Sequence, residues 1–162
     1  MKVVYCGYRG TYGALLTAAI HLGLHEGAGF CDKRHIKKYF EICRLYGEQY
    51  GNLIYIGVDE GLREIYILGC KRYFSVIRKA HVHMNRIFKP EENIYHLDVG
   101  RLEGILPRII GFMLARRFSE RLCEKLFSYW LIRKYHEFSR MATTIKHKLE
   151  NGERIGEWEL MR

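Results

Sequence analysis

Proline is nearly missing from this chain. Only Pro90 and Pro107 occur among 162 residues, which excludes proline-rich recognition segments and long stiff linkers. Paired cysteine motifs are missing as well. The five cysteines, at 6, 31, 43, 70 and 123, are odd in number, form no Cys-x-x-Cys pair and have no zinc-ligand spacing. That pattern excludes a disulfide framework or a zinc ribbon and fits reduced thiols in a cytoplasm. No signal-peptide pattern opens the sequence, because Met1-Lys2-Val3-Val4-Tyr5-Cys6 enters a strand directly. No apolar run is long enough to cross a bilayer; the most apolar one, residues 102–114, carries Glu103 and Arg108. Internal repeats and low-complexity segments are also missing. The expectation is a cytoplasmic protein with no membrane partner.

What is present is an ordinary globular composition, 48% hydrophobic and 28% charged, with 12 tyrosines. It predicts one domain over residues 1–150 and a charged tail over 151–162, with Trp158 as the tail's large apolar residue. The net charge of +9 invites a nucleic-acid reading. Residues 1–81 hold 12 Lys/Arg against 7 Asp/Glu, and residues 82–162 hold 15 against 11. The excess is spread evenly, with no basic arm, so nucleic acid is the least supported partner and a small-anion preference is better supported.

The run Val3-Val4-Tyr5-Cys6 reads as a buried strand stopped by Gly7-Tyr8-Arg9-Gly10. From Thr11, which can cap, Ala14, Leu15, Ala18, Ala19 and Leu22 recur at helical spacing, and Gly23 marks the end. Asp32 can cap a second helix with Ile36, Phe40 and Cys43 inward and Gly47 as its stop. Residues 53–58 and 64–69, joined by Asp59-Glu60-Gly61-Leu62-Arg63, predict a hairpin. A third helix follows, with Tyr73, Ile77, Ala80, Met84 and Phe88 in register before Pro90. Residues 93–99 read as a strand and 102–118 as a helix that Pro107 and Gly111 must kink or delay. Residues 127–135 read as a further strand and 140–149 as a closing helix. Alternating strands and helices predict a three-layer α/β sandwich, its sheet mostly parallel with one β-hairpin.

The loop Gly7-Tyr8-Arg9-Gly10-Thr11-Tyr12-Gly13 has the parts of an anion site. Glycines let a ligand approach the backbone, and the amides opening the helix favour negative charge. Thr11 offers a hydroxyl and Arg9 a planar fork for phosphate or carboxylate. The reading requires these N–H groups to be free to receive a guest; the alternative is a tight connection with no ligand. Neither a Walker A loop nor a Gly-x-Gly-x-x-Gly fingerprint is present, since the glycines fall at 7, 10 and 13. Cys6 does not have the spacing to an arginine that cysteine phosphatases use, and reads as a small buried hydrophobe.

Ligands of open α/β sheets sit beyond the carboxyl ends of the parallel strands. By that rule Asp59 and Glu60, Asp98 to Arg101, and His136 to Arg140 are expected beside the loop. The ligand-binding candidates are therefore Arg9, Gly10, Thr11, Tyr12, Gly13, Asp59 and Asp98, although Asp59-Glu60-Gly61 is equally a turn signal and that reading is favoured. His21 and His25 have a metal-capable spacing, but Gly23 between them favours His21 as a partner of the helix end. His81 and His83 are two apart and point different ways on a helix. Arg116-Arg117 complement a helix dipole or reach an anion. No metal set, cofactor or catalytic residue is singled out.

Several of these runs, taken in order, resemble one family. They are Lys2-Val3-Val4-Tyr5, Gly10-Thr11, Ala18-Ala19-Ile20-His21-Leu22-Gly23, Ile54-Tyr55-Ile56-Gly57-Val58-Asp59-Glu60, Ile65-Tyr66-Ile67-Leu68-Gly69, and Arg108-Ile109-Ile110-Gly111-Phe112 with Arg116-Arg117. The family is an uncharacterised domain of unknown function from spore-forming Firmicutes, and the likeness runs to about residue 149. It implies no activity. The family loop reads His-Cys-Tyr-Gly-Gly-Thr-His-Ser-Ser, whereas residues 6–14 here keep Gly10 and Thr11 but have neither its histidines nor its serines. By that resemblance the chain is a divergent member in which a binding fold outlasts any catalyst. The leading expectation is binding of a phosphate-bearing small molecule or nucleotide at the first loop. The alternative is a non-catalytic interaction or regulatory module, sporulation-linked by resemblance alone, with a protein partner or as a homodimer.

Overall fold

In the computed structural model, which describes residues 1–24, 33–47, 50–88 and 93–152, the chain folds as strand β1 (Lys2–Gly7), helices α1 (Tyr12–His21) and α2 (Lys33–Tyr46), the hairpin β2 (Leu53–Val58) and β3 (Glu64–Gly69), α3 (Phe74–Phe88), β4 (Ile94–Asp98), α4 (Gly100–Glu103), α5 (Leu106–Ala115) and α6 (Glu120–Glu150). The sheet order is β2-β3-β1-β4. β1 runs parallel to β3, from Lys2 opposite Glu64 to Gly7 opposite Gly69, and parallel to β4, from Lys2 opposite Ile94 to Cys6 opposite Asp98. Its unbroken apolar run suits a strand covered on both faces. Only β2 is antiparallel, on the edge beside β3.

Alternation divides the core. Val3, Tyr5, Ile65, Ile67 and Leu97 face the larger side, with α1, α2, α5 and α6; Val4, Cys6, Leu68 and Cys70 face the smaller side, covered by Phe74 and Ile77 of α3. The connection leaving β1 thus crosses one face and that leaving β3 the other. This is the three-layer α/β sandwich expected, and such a topology places a crevice at the carboxyl ends of the central strands.

Several local expectations change. Residues 127–135 are not a strand: they lie inside α6, a single helix of 31 residues that also absorbs the expected closing helix. Cys123, Phe127, Trp130, Leu131, Phe138, Met141, Ala142, Ile145 and Leu149 are its buried positions, spaced by threes and fours. The aromatic density around Trp130 mimics a strand, and packing against α1 and α5 decides otherwise. The segment at 102–118 is two helices. Gly104, at φ +69°, breaks it, and Pro107 sits in the first turn of α5 where its missing N–H costs nothing. α5 runs unbroken through Gly111. The stripe expected on α3 holds only in part: Ile77 packs as expected and Phe74 joins it, whereas Tyr73, Met84 and Phe88 are exposed. Gly23, at φ +65°, ends α1 as expected, with the Leu24 amide reaching the Ala19 carbonyl. The Asp32 cap, His25, Pro90, Cys31 and Trp158 lie outside the described residues.

Candidate functional site

Three connections meet at the carboxyl end of β1. The Cys70 amide donates to the Gly7 carbonyl at 2.9 Å, Lys71 N to Tyr8 O at 2.9 Å and Val99 N to Cys6 O at 2.8 Å, so the segments after β3 and β4 are laced to the glycine loop. Gly10 holds φ +84°, and a Cβ there would sit 2.6 Å from the Gly69 backbone nitrogen, so only glycine fits.

The free N–H groups that the anion reading requires are in part not free: two of them are already held by a carboxyl group of the chain itself. The amide of Tyr8 donates to Glu103 Oε2 at 3.1 Å and that of Gly13 to Glu103 Oε1 at 3.0 Å. Glu103, last residue of α4, is 1% exposed. Its own carbonyl accepts the Trp130 Nε1–H at 2.8 Å, which pins α4 to α6. Burial raises the Glu103 carboxyl to about 7; the Tyr8 and Gly13 amides and Arg108 pull it down, and Asp98 adds to the rise. The Tyr12 side chain is buried in the core. Its ring meets Phe127 and Trp130 edge-on at centroid distances of 5.8 and 6.0 Å.

Three donors of the loop and its surroundings meet no oxygen or nitrogen acceptor. Thr11 occupies the position before α1 without bonding the helix through its side chain, and its buried Oγ1 meets no oxygen or nitrogen. Its neighbour is the Cys43 thiol, a weak partner, which burial pushes up and the Thr11 hydroxyl eases down. Arg9 turns inward: Nη1 reaches the Gly47 carbonyl at 3.4 Å, the guanidinium lies against Gly111, where a Cβ would collide with it, and Nε is buried without a partner. Arg108 lies over the Tyr8 ring at 4.3 Å, and its Nε is likewise unsatisfied. Arg108 joins the site through the Tyr8 ring, and Gly111, three positions further along α5, is the residue Arg9 lies against; sequence spacing reveals neither contact.

Asp98 is at this edge as expected. It receives the Gly100 amide and Arg101 Nε, both at 3.1 Å. Burial raises its carboxyl, with Arg101 opposing. Asp59 is not here. Because β2 is antiparallel, the turn after it lies at the opposite edge of the sheet, so Asp59 and Glu60 must be removed from the set. His136 to Arg140 also drop out as a loop group, being part of α6.

Asp59 serves a second buried cluster. Oδ1 accepts the amides of Gly61 and Arg63, both at 2.9 Å, which is the turn role; Oδ2 takes Arg63 Nε at 2.6 Å and His21 Nε2 at 3.1 Å. His21 Nδ1 lies 2.6 Å from the Tyr5 hydroxyl. One neutral tautomer satisfies every atom: Tyr5 donates to Nδ1 and Nε2–H donates to Asp59. His21 therefore closes a side-chain network across β1, α1 and the hairpin and does not cap carbonyls. Burial lowers its pKa against the opposing pull of Asp59. Burial alone would raise Asp59, but the Arg63 amide, His21 and the Arg63 guanidinium outweigh it and hold the carboxyl below its ordinary range. A cavity of about 520 Å³ lined by Ile20, His21, Thr143, Lys146 and His147 opens at this far edge.

A family model described as "Protein of unknown function (DUF3189)" matches residues 2–147. The chain belongs to this family. Membership spans every element that builds the loop, its Glu103 guest and the two arginines, and its description states no activity. Neither a curated protein nor a solved structure matches the chain. Among the described residues no helix is long and apolar enough to cross a membrane, and no group of three or more His, Cys, Asp or Glu is placed to hold a metal ion.

Proposed function

We propose that the protein binds a phosphate-bearing small molecule, such as a nucleotide, at the carboxyl edge of β1, through Arg9, Gly10, Thr11, Tyr12, Gly13 and Arg108, with Asp98 fixing the adjoining turn. The observation that carries this reading is a pair of buried, unsatisfied guanidinium Nε atoms, on Arg9 within the loop and on Arg108 over the Tyr8 ring, together with a buried Thr11 hydroxyl that meets only the weak Cys43 thiol. Each unmet buried donor costs about 1–3 kcal/mol. An oxyanion with several acceptor oxygens recovers that loss at a single point, and both arginines present forks suited to it. The topology supports the same edge.

Thermal unfolding with inorganic phosphate, ADP and ATP, against chloride of equal ionic strength, tests the reading. Ligand at a hundred times its dissociation constant adds about 2.7 kcal/mol, or roughly 5–10 °C for a chain of this length. Arg9→Ala and Arg108→Ala are each expected to lose most of that shift. Equal midpoints in phosphate, nucleotide and chloride overturn it.

A further inference from the structure

We propose that Glu103 is a tethered occupant of this anion site, and that an incoming phosphate-type dianion takes over its two amides while Glu103 takes up one proton from solvent. The inference rests on the binding reading above and supplies its regulation. Two amides, Tyr8 N and Gly13 N, grip two different oxygens of one carboxyl group, the hold that a bound oxyanion receives. The loop is shaped around this guest: a Cβ on Gly7 would lie 2.5 Å from Glu103 Oε1, and one on Gly13 would lie 2.7 Å from Glu103 Cγ. The guest is held without an ion pair: its carboxyl oxygens take neutral amides, and Arg108, the cation that acts on it, leaves its Nε unbonded.

The groups facing Glu103 are few. Arg108 approaches from α5 and favours its charge; Asp98 at the end of β4 opposes it. Tyr12 on α1 and Cys43 on α2 share its electrostatic surroundings, with Arg9 beside Tyr12, and α6 contributes the rings of Trp130 and Phe138. Two anions cannot persist together in one buried loop, so the arriving dianion expels the charge of the resident one. Protonation of Glu103 discharges it, and with a carboxyl already raised to about 7 the proton is available near neutrality. Ligand binding and proton uptake are then one event, and affinity falls as the solution becomes alkaline.

Calorimetric titration of the full chain with inorganic sulfate between pH 6 and 9 tests this, since sulfate remains a dianion throughout and adds no titration of its own. The association constant is expected to be level below about pH 7 and to drop tenfold per pH unit above it, while Glu103→Gln binds sulfate with a flat profile. Wild-type binding with the same slope as Glu103→Gln overturns the exchange and leaves the binding reading standing. Absence of sulfate binding by both proteins overturns the binding reading as well. Should Glu103→Gln fail to fold, wild-type titrations at pH 8 in two buffers of different ionisation heat decide. About one proton taken up per sulfate supports exchange, and none overturns it.

Discussion

Gly7 and Gly13 owe their missing side chains to a residue about ninety positions away. A Cβ at Gly7 meets Glu103 Oε1 at 2.5 Å and Ala14 Cβ at 3.2 Å; one at Gly13 meets Glu103 Cγ and Phe138. Gly7→Ala is therefore expected to destabilise by about 1–3 kcal/mol, the usual cost of overpacking. In a denaturant-midpoint series, Gly7→Ala combined with Glu103→Ala should cost clearly less than the two single changes added together, because the neighbour that blocks the methyl is gone. Strict additivity would show that the glycine answers to the backbone turn alone. Sequence reading finds this loop, but the free amides that its anion reading requires are in part taken, those of Tyr8 and Gly13 by Glu103. What stays hidden is the guest: no local spacing connects Glu103 to Tyr8, and Arg108 is equally remote from Arg9. Asp59 misleads for a related reason, because the direction of β2 moves its turn to the far edge.

At the level of elements, the strands and the hairpin are legible almost residue for residue, because period-two patterns and turn glycines act locally. The long helix is not. Residues 127–135 are dense in aromatic and branched side chains, and only packing shows that Phe127, Trp130, Leu131 and Phe138 lie on one inward stripe. Trp130 is the join between this helix and the site, being 3% exposed, stacked near Tyr12, Phe127 and Phe138, and bonded to the Glu103 carbonyl. Trp130→Phe retains most of the apolar contact and removes the bond, for an expected loss of about 1–2 kcal/mol, the cost of one buried hydrogen bond. Trp130→Ala is expected to cost about 3–5 kcal/mol. Urea unfolding of the two variants measures the split. An unchanged midpoint for Trp130→Phe would mean that the indole N–H contributes nothing.

Across the whole molecule, buried groups titrate in two opposite senses. Glu103 has a folded value of about 7 against an ordinary 4.5, so the folded state binds the extra proton and stability drains away as pH rises across that interval, by on the order of 3 kcal/mol. His21 is lowered from 6.5 by burial, and His96, beside His81, falls to about 4. Their contributions are present above 6.5 and are lost as pH falls below it; that of Asp59 is lost below 3.8. Unfolding free energy measured from pH 5 to 8 is accordingly expected to be nearly flat or declining for the native chain and to climb for Glu103→Gln. Parallel curves for the two proteins would contradict the Glu103 assignment. The separation of 95 and 90 residues between the loop amides and their carboxylate also has a temporal meaning. During synthesis the first strand and helix emerge long before the segment that seals them, and closing so large a loop is slow. Until α4 arrives the nascent turn presents bare amides, so a residue made much later decides what this edge holds.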